Sequence, residues 1–359
     1  MTTRNNDAAH KSGVGVVIPC YNGRQYIQSC LQSLQESDSS GLVIVVVDNA
    51  STDGSVDYIE NEFPEVTLLR QKQNIGFAAA CNRGFNELIK RRVKYIMLLN
   101  QDTVVERGWE KPLVQCLESN SSVMAVQSLL ERGDGQTVNS VGNRIHFLGF
   151  GYSEGDGRSL ADTRVQRHLK QPMEIDYASG AAMMMRIEDT ERLGLFQENF
   201  FMYHEDLDLG WRIRLTGGQS MLVPASRVRH LYDFHRSSKI KYEFGERNRL
   251  IVILENYHAM TILLIMPAWI FMEVGILAMS FINGWFVEKM RGYYYIFNHL
   301  PDILKRRRIC QAARLSSERK VVSGFSGAIY YQENPSPLLK IVNPVFRLYW
   351  RLARFLILW

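Results

Sequence analysis

The stretch VGVVIPCYNG at residues 14–23 begins the pattern that decides the fold. Its apolar run, which ends at Pro19, is typical of a buried strand, and residues 25–35 then carry apolar side chains at helical spacing. The same order of strand and helix recurs twice before a fourth apolar run at residues 95–99. This alternation predicts an α/β domain with a mostly parallel sheet. The other predicted elements are strands at residues 42–47 and 66–69 and helices at residues 55–62 and 76–90.

A polar residue follows each of the four predicted strands, namely Asn22, Asp48, Asn74 and Asp102. In an open α/β sheet, ligands bind beyond the carboxyl ends of the strands. The sequence therefore predicts a binding site at this edge of the sheet. The loop after the first strand has neither the Gly-rich dinucleotide fingerprint nor a P-loop, which argues against a dehydrogenase or a nucleoside triphosphatase.

The residues of this edge allow more than one chemical role. A carboxylate at Asp48 could accept a hydrogen bond from a base N–H or a ribose hydroxyl. Asp102, together with a later histidine or carboxylate, could hold a hard divalent cation against a diphosphate. Each of these residues could instead be a helix cap or a turn former, and this is the interpretation that we prefer for Asp53 and Asn74.

Composition and charge describe a folded protein with a basic C-terminal third. Apolar residues make up 46% of the chain and charged residues 22%, which excludes wholesale disorder. Residues 236–359 contain 18 Lys and Arg against 8 Asp and Glu, whereas residues 1–235 contain 24 against 29. A basic, aromatic region favours contact with anionic lipid or nucleic acid. The five cysteines are scattered without a C-x-x-C pair, which fits a reducing compartment.

Two C-terminal segments have the character of membrane contacts. Residues 261–287 carry one formal charge, Glu273, and are long enough to cross a bilayer. Basic residues flank both ends of this segment, so charge gives no orientation. A single span, a re-entrant or interfacial hairpin, and a buried helix pair inside a soluble domain all fit. Residues 338–359 combine arginines on one helical face with aromatic side chains, which suits the headgroup region of an anionic membrane.

Five motifs follow one another in the sequence: IPCYNG at 18–23, VDNASTDGS at 47–55, NIGFA at 74–78, LLNQD at 98–102 and HEDLDL at 204–209. Each is weak alone, but together they look like glycosyltransferase family 2 with the GT-A fold, close to its rhamnosyltransferase-like branch, over residues 14–249. We therefore expect a flexible N-terminus without a signal peptide at residues 1–12, a GT-A domain at residues 13–235 and a membrane-associating helical region at residues 236–359.

The resemblance implies inverting transfer of a sugar from a nucleotide-diphosphate sugar. It assigns recognition of the pyrimidine base to Asp48, with Pro19 and Tyr21 lining the pocket. It assigns the role of catalytic base to Asp206, which would take the proton of the acceptor hydroxyl. The adjacent Glu205 points in a different direction on a helix and would orient or bind the acceptor.

The resemblance also implies a divalent cation, Mg²⁺ or Mn²⁺, at the diphosphate. Asp102 matches the last position of the family's D-x-D metal motif, and His230 matches a histidine that helps to hold the metal or the diphosphate in some relatives. The first position of that motif is Asn100 here, which removes one carboxylate but leaves an amide oxygen that can ligate. Arg247 and Arg249 resemble a basic segment near the diphosphate.

We expect an enzyme of cell-surface polysaccharide synthesis at the cytoplasmic face of the inner membrane. The expected partners are dTDP-rhamnose as donor, a polyprenyl-linked saccharide as acceptor and anionic membrane lipid, with no nucleic acid. The alternatives are a polyprenyl-phosphate sugar synthase of the same family, a sugar nucleotidyltransferase and a catalytically silent membrane scaffold. The absence of a Gly-rich basic loop near the first strand argues against a nucleotidyltransferase.

Asp208 and Arg212, four residues apart, are expected to form a surface pair.

Overall fold

The computed structural model describes residues 13–39, 41–231, 239–330 and 337–359. The predicted flexible terminus at residues 1–12 and the predicted domain boundary at residue 235 lie outside the described residues. The strands are β1 (Val14–Cys20), β2 (Val43–Asp48), β3 (Thr67–Arg70), β4 (Tyr95–Leu99), β5 (Thr103–Val105), β6 (Val123–Arg132), β7 (Val138–Ser140), β8 (Asn143–Ile145), β9 (Gly151–Ser153), β10 (Met173–Ile175), β11 (Ala182–Arg186) and β12 (Gln219–His230).

Helices separate the first four strands and dominate the C-terminal third. The seven elements predicted up to β4 are all present, each within one residue of its predicted bounds. The helices are α1 (Arg24–Gln35), α2 (Ser55–Glu62), α3 (Phe77–Lys90), α4 (Glu110–Ser119), α5 (Thr163–Gln166), α6 (Ile187–Leu193), α7 (Glu205–Leu215), α8 (Lys239–Asn256), α9 (Ala259–Ile282), α10 (Phe286–Asn298), α11 (Leu300–Ala312), α12 (Glu318–Val321) and α13 (Pro337–Leu356).

In the described part of the chain, ten strands form one mixed sheet, whose central path runs β10-β12-β6-β11-β4-β1-β2-β3. Strands β3, β2, β1 and β4 are parallel to one another, as predicted, whereas β11 runs antiparallel between β4 and β6. The chain leaves β1 towards β2 and β3 and then returns to β4 on the other side of β1. This reversal creates a crevice between the loops after β1 and β4, which is where such sheets bind ligands.

Strand β1 extends one residue beyond Pro19, where the apolar run suggested its end. Its pairing with β4 covers only residues 14–17, while its pairing with β2 continues to Cys20. The missing N–H of Pro19 therefore lies beyond the part of the strand that is paired on both sides. Helix α3 covers β1 at close range, because a Cβ on Gly84 would lie 2.3 Å from Val17 Cγ1.

A separate apolar core joins the C-terminal helices to the sheet domain. It contains side chains of α7, α8, α9, α11 and α13 together with the segment that follows β8. Helix α7, wedged between this core and the sheet, is buried at nearly every position. The expected surface pair is therefore wrong: Asp208 is fully buried, and its carboxylate accepts hydrogen bonds from Arg212 Nε at 2.8 Å and Asn256 Nδ2 at 2.9 Å.

Among the described residues, one helix is long and apolar enough to cross a membrane, and it is α9. Only 17% of its apolar window is buried, which argues against the interpretation as a buried core helix pair. The apolar segment at residues 261–287 is not continuous, since α9 ends at Ile282 and α10 begins at Phe286.

Candidate active site

The loops after β1 and β2 are locked together by side-chain bonds to backbone. The Asn22 amide oxygen accepts from Thr52 N at 2.9 Å, and Asn22 N donates to Ser51 Oγ at 2.9 Å. Asp53 accepts from Arg24 N at 2.8 Å and from Ser55 N, the first residue of α2, at 3.1 Å. These contacts fit the interpretation of Asp53 as a cap or a turn former. They fix one wall of the crevice before any ligand binds.

The three residues predicted to bind the base sit on this wall in different environments. Asp48 ends β2 and is almost buried, and its carboxylate accepts from Ala50 N and Ser51 N at 3.1 and 3.2 Å. Pro19 is buried in β1, whereas the Tyr21 side chain is 48% exposed. The exposed ring of Tyr21 is therefore accessible to a ligand, whereas the Asp48 carboxylate holds the loop that follows β2.

A glutamine that sequence reasoning missed closes the crevice between β1 and β4. Gln101 Oε1 accepts from Tyr21 N at 2.9 Å, and Gln101 Nε2 donates to Tyr21 O at 3.3 Å. A Cβ on Gly23 would lie 2.2 Å from Gln101 Oε1, so a larger residue at position 23 would require this amide to move. The position of Gln101 between Asn100 and Asp102 was the available signal.

Beyond β4, three of the predicted residues meet. Strand β12 runs antiparallel to β5, which places His230 opposite Thr103. His230 Nε2 lies 3.3 Å from Asp102 Oδ1 and 3.3 Å from Asn100 Nδ2, and His230 Nδ1 lies 3.0 Å from Asn139 Oδ1. The sequence-predicted metal residues are thus brought together although 128 positions separate Asp102 from His230.

The donor atoms of this group suit a divalent cation. Asn100 Oδ1 is buried and has no hydrogen-bond partner among the described residues. Together with the Asp102 carboxylate and the His230 imidazole, it supplies the hard oxygen and nitrogen donors that Mg²⁺ and Mn²⁺ take. The described residues contain no group of three or more His, Cys, Asp and Glu side chains placed to hold a metal, so an amide oxygen would have to complete the set.

The two acidic residues at the start of α7 lie beside this group. Asn100 N donates to Ala181 O at 3.2 Å, and the neighbouring Gly180 N donates to Asp206 Oδ2 at 3.3 Å. The short segment before β11 therefore joins the end of β4 to the start of α7. Glu205 Oε2 is buried without a hydrogen-bond partner among the described residues, while Asp206 Oδ1 accepts from Leu207 N.

Burial raises the pKa of both carboxyl groups. Desolvation is the main cause for each, and the pKa of Glu205 rises further because its carboxyl group also faces the Asp206 charge. Hydrogen bonds from the backbone N–H groups of Gly180 and Leu207 favour the ionised form of Asp206 and limit the rise of its pKa. Of the two, Asp206 is therefore the one that is ionised first as the pH rises.

The turn that leads into α7 has an unusual backbone. Phe201, Tyr203 and His204 all adopt positive φ angles, of 63°, 69° and 69°. Such conformations cost energy for residues other than glycine and occur where surrounding contacts impose them. The turn thus aims the start of α7 at the crevice only because other parts of the fold hold it.

One amide supplies much of that support. Asn248 Nδ2 lies 2.9, 3.0 and 2.8 Å from the carbonyl oxygens of Phe200, Met202 and Tyr203. Asn248 belongs to α8, and sequence reasoning passed over it because an asparagine between two arginines has no distinctive signal.

Of the two flanking arginines, Arg247 also contacts this turn, whereas Arg249 is held elsewhere. Arg247 Nη2 donates to Asn199 O and Phe200 O at 2.7 and 3.0 Å. Arg249 is fully buried, donates to Leu148 O at 3.1 Å and pairs with Glu246 and Glu273. Both guanidinium groups are occupied by these partners. The contacts therefore give no support to the prediction that Arg247 and Arg249 bind the diphosphate.

Replacing Asn248 by alanine should destabilise the fold by about 2–4 kcal/mol, because three carbonyl oxygens of a strained turn lose their donor. Asn248→Asp should be worse, since a carboxylate would face three carbonyl oxygens. Denaturant unfolding of the purified variants measures the effect. Asn283→Ala is the matched control: it removes an exposed amide-to-carbonyl bond of 2.9 Å and should stay within about 0.5 kcal/mol of the parent. Equal stability of the Asn248 and Asn283 variants would contradict the support role.

Comparison with known proteins identifies the family of this chain. The family model described as Glycosyl transferase family 2 matches residues 15–194. An N-acetylglucosaminyl-diphospho-decaprenol L-rhamnosyltransferase of Mycobacterium tuberculosis is 25% identical over 229 residues, which are 60% of this chain and 75% of that protein. The rhamnosyltransferase WbbL of Escherichia coli is 22% identical over 232 residues, 60% of this chain and 83% of its own.

Solved structures share the fold at low identity. GalNAc-T7, crystallised with UDP, GalNAc and Mn²⁺, superposes with a TM-score of 0.54 and 18% identity over 67% of this chain; the chain spans about half, 47%, of that protein. TarS of S. aureus superposes with a TM-score of 0.50 and 15% identity, and the match covers 95% of this chain and 55% of the TarS chain. With half of its length matched by the family model and the mixed α/β sheet of GT-A enzymes, the chain belongs to glycosyltransferase family 2.

Proposed function

We propose that this glycosyltransferase moves rhamnose from dTDP-rhamnose to a polyprenyl-diphosphate-linked saccharide, with inversion at the anomeric carbon. The observation that carries the proposal is the Asp206 carboxylate, which is held beside the Asn100–Asp102 strand end by the Gly180–Ala181 segment. The relatives support the choice of donor and acceptor. Both are named as rhamnosyltransferases, and the name of the Mycobacterium tuberculosis relative also contains a decaprenyl-diphosphate-linked substrate.

The site residues account for the bond changes of such a transfer. A sugar hydroxyl is a weak nucleophile, so Asp206 accepts its proton as the oxygen forms a bond to the anomeric carbon. The bond from that carbon to the nucleotide diphosphate breaks on the opposite face, and negative charge develops on the diphosphate. Asp102, His230 and Asn100 would hold a divalent cation that stabilises this charge when it is bound.

Glu205 has a different task from Asp206. Desolvation and the neighbouring Asp206 charge raise the pKa of its carboxyl group, so Glu205 is the harder of the two to ionise. A protonated carboxylic acid can donate a hydrogen bond but cannot accept the acceptor's proton. We assign to Glu205 the orientation of Asp206 or of the acceptor sugar, and to Asp48 and Tyr21 the contacts with the base.

The proposed setting is the cytoplasmic face of the inner membrane, in the synthesis of a cell-surface polysaccharide. An acceptor carried on a polyprenyl chain resides in the bilayer, so the enzyme must meet it at a membrane surface. The apolar α9 and the basic character of residues 236–359 support this setting.

A panel of radiolabelled sugar nucleotides tests the proposal. The purified enzyme is incubated with labelled dTDP-rhamnose, UDP-N-acetylglucosamine or GDP-mannose, and with either polyprenyl-diphospho-N-acetylglucosamine or polyprenyl phosphate as acceptor. Rhamnose entering the lipid fraction only with the first acceptor supports the proposal. Label entering polyprenyl phosphate would instead indicate a polyprenyl-phosphate sugar synthase. Release of nucleoside triphosphate on addition of pyrophosphate would indicate a nucleotidyltransferase, and no transfer with any pair would favour a scaffold.

A further inference from the structure

Helix α9 is apolar all round, but only one of its sides is covered by the protein. Leu263, Ile270, Val274 and Phe281 recur at intervals of seven, four and seven residues, and each is more than half exposed. Such a row lies on one face of a helix. A long exposed apolar face of this kind on a folded protein marks a surface that meets another apolar phase.

Helix α13 repeats this arrangement beside α9. Its exposed apolar side chains include Ile341, Leu348, Leu352 and Phe355, each at least 60% exposed, while a second row packs into the C-terminal core. The residues of that buried row are Phe346, Trp350 and Ala353, and Ile357 continues it just beyond the end of the helix.

The two helices lie antiparallel and in direct contact. Trp359 Nε1 donates to Thr261 Oγ1 at 3.2 Å, and Tyr349 Oη donates to Leu264 O at 2.6 Å. The rings of Phe346 and Phe271 are 6.2 Å apart. Because both helices bury their other sides in the same core, their exposed rows belong to one outer surface, which we call the α9/α13 face.

Helix α9 is attached to the protein along its whole length. Thr261 near its start and Ser280 near its end are both fully buried. At its middle, the Glu273 carboxylate accepts from Tyr293 Oη at 2.6 Å, lies 2.9 Å from Lys289 Nζ and pairs with Arg249 of α8. No part of the helix projects away from the domain.

These attachments argue against a membrane span. An α-helix of 24 residues is about 36 Å long and would fill a hydrocarbon core of about 30 Å. Glu273, Lys289 and Arg249 would then lie at hydrocarbon depth, and so would α8, which carries the Asn248 support of the active-site turn. A polar site that must meet a water-soluble sugar nucleotide does not tolerate that depth.

The charge beside the α9/α13 face identifies what covers it. Arg347, Arg351 and Arg354 form an exposed row on α13 between the buried row and the exposed apolar row. Arginines next to an inserting apolar face reach lipid phosphates, and each contributes about fivefold to affinity for an anionic bilayer. A second protein chain would require carboxylates opposite these arginines, whereas an anionic leaflet supplies phosphates along the whole row.

We propose that the α9/α13 face inserts into one leaflet of an anionic bilayer, so that the enzyme is bound to one side of the membrane and does not cross it. For its biological partner this inference rests on the proposed function, since the lipid-linked acceptor lies in the same leaflet. The binding itself depends only on the contacts described above.

Vesicle sedimentation with the full-length protein tests the surface. The parent should bind vesicles of phosphatidylglycerol and cardiolipin, and it should bind neutral phosphatidylcholine vesicles at least ~10-fold more weakly. The double variant Leu348→Glu/Leu352→Glu should lose at least ~10-fold in binding to the anionic vesicles. The matched control is Leu315→Glu, because Leu315 is 81% exposed and lies outside both helices; it should bind like the parent. Parent-like binding by the double variant, or a stable soluble dimer that ignores vesicles, would overturn the proposal.

Labelling from one side tests the depth. Single cysteines are placed at Met260 and Asn283, the two ends of α9, and sealed membrane vesicles of either orientation are treated with an impermeant maleimide. Both positions should react from the same side, whereas reaction from opposite sides would show a span and sink the proposal. Sugar transfer in detergent is followed in parallel. An enzyme that transfers rhamnose but ignores vesicles refutes this surface alone, and one that binds vesicles but transfers no sugar refutes the proposed function alone.

Discussion

Asp206→Asn should lower kcat by at least ~100-fold while the affinity for the sugar nucleotide stays close to that of the parent. The amide keeps the size of the side chain but cannot take the proton of the acceptor hydroxyl, and a positioned general base contributes about 10²–10⁴ in rate. Steady-state transfer and equilibrium binding of the nucleotide separate the two effects. Glu191→Gln is the matched control, since it removes an exposed acidic side chain of α6, and it should leave kcat unchanged.

The pH profile gives the same assignment independently. A base must be ionised to act, so activity should fall as the pH drops through the pKa of Asp206, which burial raises above the ordinary aspartate value of about 3.9. Glu205→Gln replaces the carboxyl group that ionises second by a neutral amide, so it should leave this acidic limb in place and retain far more activity than Asp206→Asn. If instead Asp206→Asn turned over at near-parental rate and Glu205→Gln did not, Glu205 would be the base.

Removal of divalent metal should lower transfer at least ~100-fold, and Mg²⁺ or Mn²⁺ should restore it. The reason is the negative charge that develops on the leaving diphosphate. Arg247 and Arg249, the two arginines that the sequence assigned to this charge, are held by other partners. Asp102→Asn should reproduce the loss and should not be rescued at ordinary metal concentrations. Melting curves provide a second readout, because Mn²⁺ together with nucleoside diphosphate should raise the Tm of the parent but not of Asp102→Asn.

A nearby carboxylate controls for the general effect of removing charge. Glu106 follows β5 and is exposed, so Glu106→Gln should keep both the metal response and the shift in Tm. Full activity of the parent in excess chelator would contradict the metal assignment. Asp102 and His230 would then be left as hydrogen-bonding partners of one another.

The parts of this fold that could be predicted are those that depend on the local sequence pattern. Apolar runs and helical spacing located the elements from β1 to β4 within one residue, because each signal lies inside the element itself. The edge positions of Asp48 and Asp102 followed from the same pattern. The pairing of β12 with β5 could not be predicted, although the resemblance to the family had already linked His230 to Asp102.

Other features depended on neighbours that the sequence does not reveal. The four-residue spacing of Asp208 and Arg212 is identical for a surface pair and a buried one, and only the packing of α7 between the sheet and α8 decides between them. The roles of Gln101 and Asn248 likewise arise from carbonyl and amide groups far away in the chain. Left-handed backbone at Tyr203 was equally hidden, since it is imposed by tertiary contacts and not by residue type.

The dependence of the turn before α7 on Asn248 has a consequence for biosynthesis. The carbonyl of Tyr203 finds its donor 45 residues later in the chain, so a nascent polypeptide that has emerged only as far as β12 has the loops after β1 and β2 but lacks the support of the turn before α7. Competence to transfer sugar is therefore acquired late in translation, when α8 docks. Of the two helices that face the bilayer, α9 follows α8 directly, whereas α13 is made at the end of the chain. The full affinity for the membrane is therefore acquired only after the turn before α7 has gained its support.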